Sequence, residues 1–250
     1  MNVLRAVVFD TDGVLLDSAV LHAAAWKAAF DSCLGAWASG VERQRPFDAD
    51  DEYRELVDGK PRYDGALAFL TARGIDLPTG APDDDPGCGT VWAVAARKEQ
   101  IFTGMLGTRG VAAFVDARPA LTTLRERNIR CAAVSASRHA RPLLEAAGLT
   151  GLFDVMVDGE DARRLALVGK PDPALFLEAA ARLGALPAGA AVVEDAIAGV
   201  EAGRRGHFGL VIGIDRSHRG DTAGALLARG ANVVLPDLAD LPATLSGHRP

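Results

Sequence analysis

Short apolar runs with β-branched residues recur along the chain, each ending at a polar or glycine-rich turn. They are Ala6–Phe9, Cys131–Val134, Asp154–Val157, Ala190–Val193, Gly209–Ile212 and Asn232–Leu235. Runs without polar alternation suit strands covered on both faces, as in a parallel sheet. The segments between them carry helical spacing instead. Ala120, Leu121 and Leu124 recur on one helical face, as do Leu143, Leu144 and Ala147 before Gly148, a helix C-terminal signal. Pro173 opens a helix over Ala174–Leu183. Strands alternating with helices predict a doubly wound, Rossmann-like α/β core with a parallel sheet, whose site lies at the carboxyl ends of the strands.

One stretch breaks the alternation. From about Ala19 to Ala96 no buried strand is evident, and Ala19–Phe30, Asp50–Val57 and Tyr63–Arg73 read as helices. Pro78 to Gly89 follows as a loop, its Asp83-Asp84-Asp85 run reading as solvated. The expected organisation is therefore a catalytic core, residues 1–17 and 97–250, interrupted by an inserted helical cap domain, residues 18–96, seated over the strand ends.

Composition narrows the class. Hydrophobic residues at 49% and charged residues at 24% fit a globular chain and exclude general disorder. A net charge of −6 argues against a nucleic-acid partner. No segment reaches the apolar length of a membrane span, and the N-terminus lacks a signal-peptide core, so a soluble cytoplasmic protein is expected. Three dispersed cysteines, Cys33, Cys88 and Cys131, are expected as unpaired thiols. Only four of the 27 basic residues are lysine: Lys27, Lys60, Lys98 and Lys170. Codon bias explains the scarcity, but a chain that avoids lysine retains it where arginine will not serve.

The candidate chemistry sits at the strand ends. Asp10 and Asp12 follow the first strand, with Gly13 permitting a sharp turn. Alone, the pair could equally be turn aspartates or a nucleophile and an acid/base. Ser135 and Ala136 follow the second strand, Gly169-Lys170-Pro171 follows the third, and Glu194-Asp195 follows the fourth. Alone, Ser135 is a candidate helix cap and Lys170 a candidate surface residue. Together these residues form an inventory for holding a phosphoryl group with a hard cation.

This arrangement resembles the haloacid dehalogenase-like superfamily over nearly the whole chain. Asp10-x-Asp12-Gly13, Ser135, Lys170 and Glu194-Asp195 match its four motifs in order. The resemblance implies an aspartyl-phosphate at Asp10, acid/base work by Asp12, and phosphoryl binding by Ser135, Ala136 and Lys170. It also implies Mg²⁺ held by Asp10, the Asp12 carbonyl and Asp195, with Glu194 in support. An acid at Asp12 points to phosphoryl transfer rather than dehalogenation.

Within the superfamily, Asp17 to Lys27 resembles the hinge and first cap helix of the β-phosphoglucomutase family, with His22 as the cap histidine. Asp58-Gly59-Lys60-Pro61-Arg62 resembles its specificity loop, Gly59 included, with Arg62 on the distal phosphate. Lys60 lies two positions beyond the family's lysine, where Asp58 now stands. Lys98 matches a phosphate-contacting lysine at the return from cap to core, with Arg97 an equally charged neighbour. Pro78–Gly89 lengthens the cap, and Ala196 replaces a polar residue. The resemblance implies a phosphomutase (an isomerase) acting on β-glucose 1-phosphate, with a sugar-phosphate phosphatase (a hydrolase) as the alternative. A small sugar phosphate is the implied partner, and a monomer the default. A non-catalytic sugar-phosphate sensor would require a lost motif residue, and none is lost. His139 could line a pocket or sit on a surface helix. Trp37, Trp92 and Phe102 read as packing residues, and the tail from Ser246 to Pro250 as frayed.

Overall fold

A computed structural model of the chain describes residues 4–37, 45–217 and 220–247. The expected frayed tail beyond residue 247 lies outside the described residues, whereas Ser246 is part of the last helix. The chain divides into two compact units, Met1–Asp17 with Val111–Pro250, and Ser18–Gly110.

The first unit is built on six parallel strands in the order β3-β2-β1-β4-β5-β6. They are β1 (Ala6–Asp10), β2 (Arg130–Val134), β3 (Val155–Val157), β4 (Ala190–Glu194), β5 (Leu210–Ile214) and β6 (Val233–Leu235). All five residues of β1, β4 and β5 are buried, which is why these strands read as unbroken apolar runs. Alternate side chains serve opposite layers. Val7 and Phe9 pack with Leu121 and Leu124, whereas Ala6 and Val8 pack with Phe176 and Leu183. The register, Phe9 beside Ala133 and Val193, aligns the ends of the three central strands.

The second unit contains α1 (Ala19–Cys33), a π turn at Tyr53–Val57, α2 (Arg62–Ala72) and α3 (Val91–Arg109). Leu21, Ala25, Trp26, Ala29, Phe30 and Cys33 form the buried stripe of α1 at helical spacing. Phe30 stacks on Phe69 with ring centroids 3.8 Å apart, and Trp26 stacks on Phe30 at 4.8 Å. The remaining helices, all in the first unit, are α4 (Ala117–Glu126), α5 (Ala140–Ala146), α6 (Gly159–Leu165), α7 (Ala174–Arg182), α8 (Ile197–Arg205), α9 (Gly220–Arg229) and α10 (Leu241–Gly247).

The structure departs from expectation in three places. The return to the core falls at Gly110–Val111 rather than at residue 97, because α3 continues unbroken to Arg109. Lys98 is therefore a mid-helix residue of the inserted unit. Cys33 and Cys88 are joined by a disulfide, correcting the expectation of three unpaired thiols. Only Cys131 is free, and burial pushes its thiol up to about 12, which suits packing rather than reactivity. The Pro78–Gly89 segment is also better fixed than a solvated loop. Thr90 caps α3 by accepting from Ala93 N at 3.0 Å and donates its hydroxyl to Asp84. No helix among the described residues is long and apolar enough to cross a membrane.

Candidate active site

The ends of β1, β2 and β4 place Asp10, Ser135 and Glu194 side by side, and the α6–α7 connection brings Lys170 beneath them. Lys170 is 1% exposed, donating to Asp10 Oδ1 and, at 2.8 Å, to Glu194 Oε1. Its ammonium also lies 4.9 Å from the centre of the Phe176 ring. Burial alone would lower the lysine's pKa, but Asp10 and Glu194 override it and hold Lys170 protonated. Asp10 is pushed well above the ordinary carboxylate range, first by burial and then by the charge of Glu194, with Lys170 pulling the other way. One ammonium is thus shared between two buried carboxylates, and a third, Asp195, lies close by.

This imbalance is the observation that tests for a metal. Oxygen atoms of Asp10, Glu194 and Asp195 lie within 4.8 Å of one another. An all-carboxylate donor set with surplus negative charge suits a small hard dication. Asp12, the fourth residue expected there, has its carboxylate elsewhere: Oδ2 accepts from Ser135 Oγ at 3.0 Å. The metal role inferred for Asp12 concerned its backbone carbonyl.

Asp10 and Asp12 are kept apart by the loop itself. Asp12 N donates to Asp10 Oδ2 at 3.0 Å, so the chain folds back over the first carboxylate while the second points toward Ser135. Ser135 Oγ also accepts from Ser137 N at 3.0 Å, which fixes the hydroxyl beside Ala136. Glu194 is fully buried, and its Oε2 accepts from Asp195 N at 3.1 Å. Glu194 is thus an ion partner of Lys170 and a member of the same carboxylate group.

Two glycines are required by this packing. Gly13 has φ +77°, and a Cβ there would fall 1.8 Å from Asp195 Oδ2. A Cβ on Gly199, in α8, would fall 1.4 Å from Glu194 Oε1. Gly13 was legible as a turn residue. Gly199 has no sequence signal, because its role depends on a carboxylate from the preceding strand end.

The inserted unit organises the other candidates. Lys98 is 4% exposed and lies 2.9 Å from His22 Nδ1, above the Phe102 ring at 4.4 Å and the Trp26 ring at 5.6 Å. His22 stacks on Phe102 with ring centroids 4.0 Å apart. Phe102, fully buried, packs against both the Lys98 and His22 side chains. Arg62 begins α2, its Nη1 lying 4.0 Å from Glu99 Oε1. Gly59 has φ +70° and turns the chain ahead of it. Lys60 Nζ donates to the Leu56 carbonyl at 2.7 Å, across the end of the π turn. His139 stands immediately before α5, its backbone N donating to Ser137 Oγ at 3.1 Å.

The family model for haloacid dehalogenase-like hydrolases matches residues 4–207. A β-phosphoglucomutase of Mycobacterium tuberculosis is 42% identical over 239 residues, spanning 95% of this chain and 91% of that protein. A phosphorylated carbohydrates phosphatase of Thermotoga maritima is 28% identical over 231 residues, 91% of this chain and 92% of the relative. Among solved structures, a putative β-phosphoglucomutase from Thermotoga maritima superimposes with a TM-score of 0.63 at 25% identity, covering 97% of this chain and 98% of that one. With four motifs converging on one buried cluster and similarity running almost end to end, the chain belongs to the haloacid dehalogenase-like hydrolase family.

Proposed function

We propose that the protein is a β-phosphoglucomutase, interconverting β-glucose 1-phosphate and glucose 6-phosphate through an aspartyl-phosphate at Asp10. The supporting observation is the division of labour between the two aspartates, found in a chain 42% identical to a β-phosphoglucomutase. Asp10 is buried against Lys170, whereas Asp12 stands apart on Ser135.

On this reading an Asp10 carboxylate oxygen attacks phosphorus, the phosphorus–oxygen bond to the sugar breaks, and Asp12 protonates the departing oxygen. In the reverse half Asp12 removes the proton from the attacking sugar hydroxyl. Ser135, the backbone at Ala136, and Lys170 hold the equatorial oxygens of the transferring group. Mg²⁺, held by Asp10, Glu194, Asp195 and the Asp12 carbonyl, would supply positive charge for the pentavalent transition state. His22, Gly59, Lys60, Arg62 and Lys98 are assigned to the substrate side, Arg62 to the phosphate that is not being transferred.

The second reading is a sugar-phosphate phosphatase, in which water takes the phosphoryl group from Asp10. It is favoured by the 28% identical phosphatase relative and by Lys60, whose ammonium is engaged by a backbone carbonyl. The deciding assay supplies Mg²⁺, β-glucose 1-phosphate and a trace of glucose 1,6-bisphosphate. Glucose 6-phosphate without matching free phosphate is expected, and stoichiometric phosphate with no glucose 6-phosphate would overturn the mutase reading.

A further inference from the structure

Arg216 lies two residues beyond β5 and belongs to none of the four motifs. Its guanidinium is nevertheless committed to the loop that carries Asp12. Nε donates to the Gly13 carbonyl at 3.1 Å, and Nη2 donates to the Val14 carbonyl at 2.9 Å. Nη2 also donates to Asp116 Oδ2 at 2.9 Å, and Cζ sits 3.7 Å from the centre of the Phe114 ring. Asp116 is fixed in turn, accepting from Leu238 N at 2.6 Å. Burial pushes the Asp116 carboxyl up, but Arg216 and the Leu238 amide outweigh that and hold it below its ordinary range.

The acceptors explain why an arginine is needed. Gly13 and Val14 directly follow Asp12, and they face in different directions. Gly13 has φ +77° and presses against Asp195, while Val14 is buried in the core. A planar fork stacked on Phe114 reaches both carbonyls and the carboxylate at once. A lysine is a point charge without a planar fork, so it does not reproduce this pattern. The loop is otherwise held by short bonds of its own, Gly13 N to the Leu16 carbonyl at 2.9 Å and Leu15 N to the Thr11 carbonyl at 3.0 Å. Those bonds set the curvature of the loop. Arg216 ties that curvature to the sheet.

We propose that Arg216, braced by Asp116 and Phe114, is a positioning residue for the reaction, holding the Gly13–Val14 turn so that Asp12 keeps its orientation in both proton transfers. This rests on the reading of Asp12 as the acid/base. Misplacing such a group by ~1 Å costs on the order of 100-fold in rate. The effect belongs to kcat, because ground-state binding of the sugar phosphate does not depend on the Asp12 proton.

The test compares wild type with Arg216→Ala, Arg216→Lys and Asp116→Asn, turning over β-glucose 1-phosphate with Mg²⁺ and counting both glucose 6-phosphate and phosphate. Arg216→Ala is expected to lose kcat by roughly 30- to 100-fold with KM changed less than about threefold. Guanidinium ion at about 20 mM is expected to restore at least roughly tenfold of that loss in Arg216→Ala, and nothing in Asp12→Asn. Arg216→Lys should remain well below wild type, and Asp116→Asn should show a smaller loss of the same kind. A folded Arg216→Ala within about threefold of wild-type kcat would overturn the proposal, as would a loss confined to KM. Should Arg216→Ala fail to fold, Arg216→Lys and Asp116→Asn carry the same kcat-against-KM comparison, and wild-type kcat in both would overturn it. Absence of any turnover by wild type would instead overturn the proposed function itself.

Discussion

Asp10 sits under opposing influences, and their balance can be measured. Burial and Glu194 raise its carboxyl, while Lys170 lowers it, leaving a net rise. A raised carboxyl holds its proton in the folded state to a higher pH than in the unfolded chain. Its contribution to stability is therefore present at low pH and is lost as pH rises through the folded value. In EDTA, Asp10→Asn is expected to raise the melting midpoint at about pH 7 and to change it little at about pH 4. Melting curves at the two pH values check this, and equal shifts at both would show that the carboxyl is not raised. The four lysines divide by the same physics. Lys170 and Lys98 are buried, one on two carboxylates and the other on a histidine and two rings. Lys27 and Lys60 donate to the carbonyls of Phe47 and Leu56 within the inserted unit. Retention of scarce lysine was legible in the sequence, but which two are buried was not, because that depends on partners as far as 76 and 160 residues away in the chain.

At the level of elements, the strands were readable to within a residue or two, since burial on both faces leaves no polar position to blur their limits. The far end of α3 was not. Among the described residues of α3 beyond Lys98, only Phe102 is deeply buried, so the helix's last turns carry little apolar pattern. The disulfide was also invisible, because Cys33 ends a helix and Cys88 lies in an irregular loop 55 residues on. Its consequence is specific to the inserted unit. Closing a loop of that length stabilises by about 4 kcal/mol in the chain-entropy estimate. All three tryptophans, Trp26, Trp37 and Trp92, lie in the same unit, Ser18–Gly110, and Trp37 Nε1 donates to the Cys88 carbonyl at 2.9 Å. Tryptophan fluorescence therefore follows that unit alone. Dithiothreitol, or Cys33→Ser with Cys88→Ser, is expected to shift its urea midpoint downward. Thiol titration of the denatured, unreduced protein should find only Cys131. Three titrating thiols, or an unmoved midpoint, would remove the cross-link from the account.

For the molecule as a whole, the sequence predicted all four motifs at successive strand ends; three lie there, whereas Lys170 reaches the same charge cluster from the α6–α7 connection, with a helix between it and β3. What the sequence left unread was the turn's external brace, Arg216, because one arginine among many carries no pattern of its own. The cluster's surplus negative charge makes global stability a sensor of the cation. Carboxylate oxygens of Asp10, Glu194 and Asp195 converge within 4.8 Å, and Lys170 donates to two of the three. A cation that binds the folded state and not the unfolded one stabilises by about 2.7 kcal/mol at a hundredfold excess over its dissociation constant. In a chain of this size that corresponds to roughly 5–10 °C in melting midpoint. Adding Mg²⁺ to EDTA-treated protein is expected to produce such a rise. Asp195→Asn should lose most of it, because the substitution removes a charged ligand without disturbing the Lys170 ion pairs. Lys170→Met, in contrast, should lower the midpoint without metal and leave the acids more dependent on the added cation. If Asp195→Asn kept the full Mg²⁺ response, the cation would be bound elsewhere, and the cluster would be a purely internal ion network.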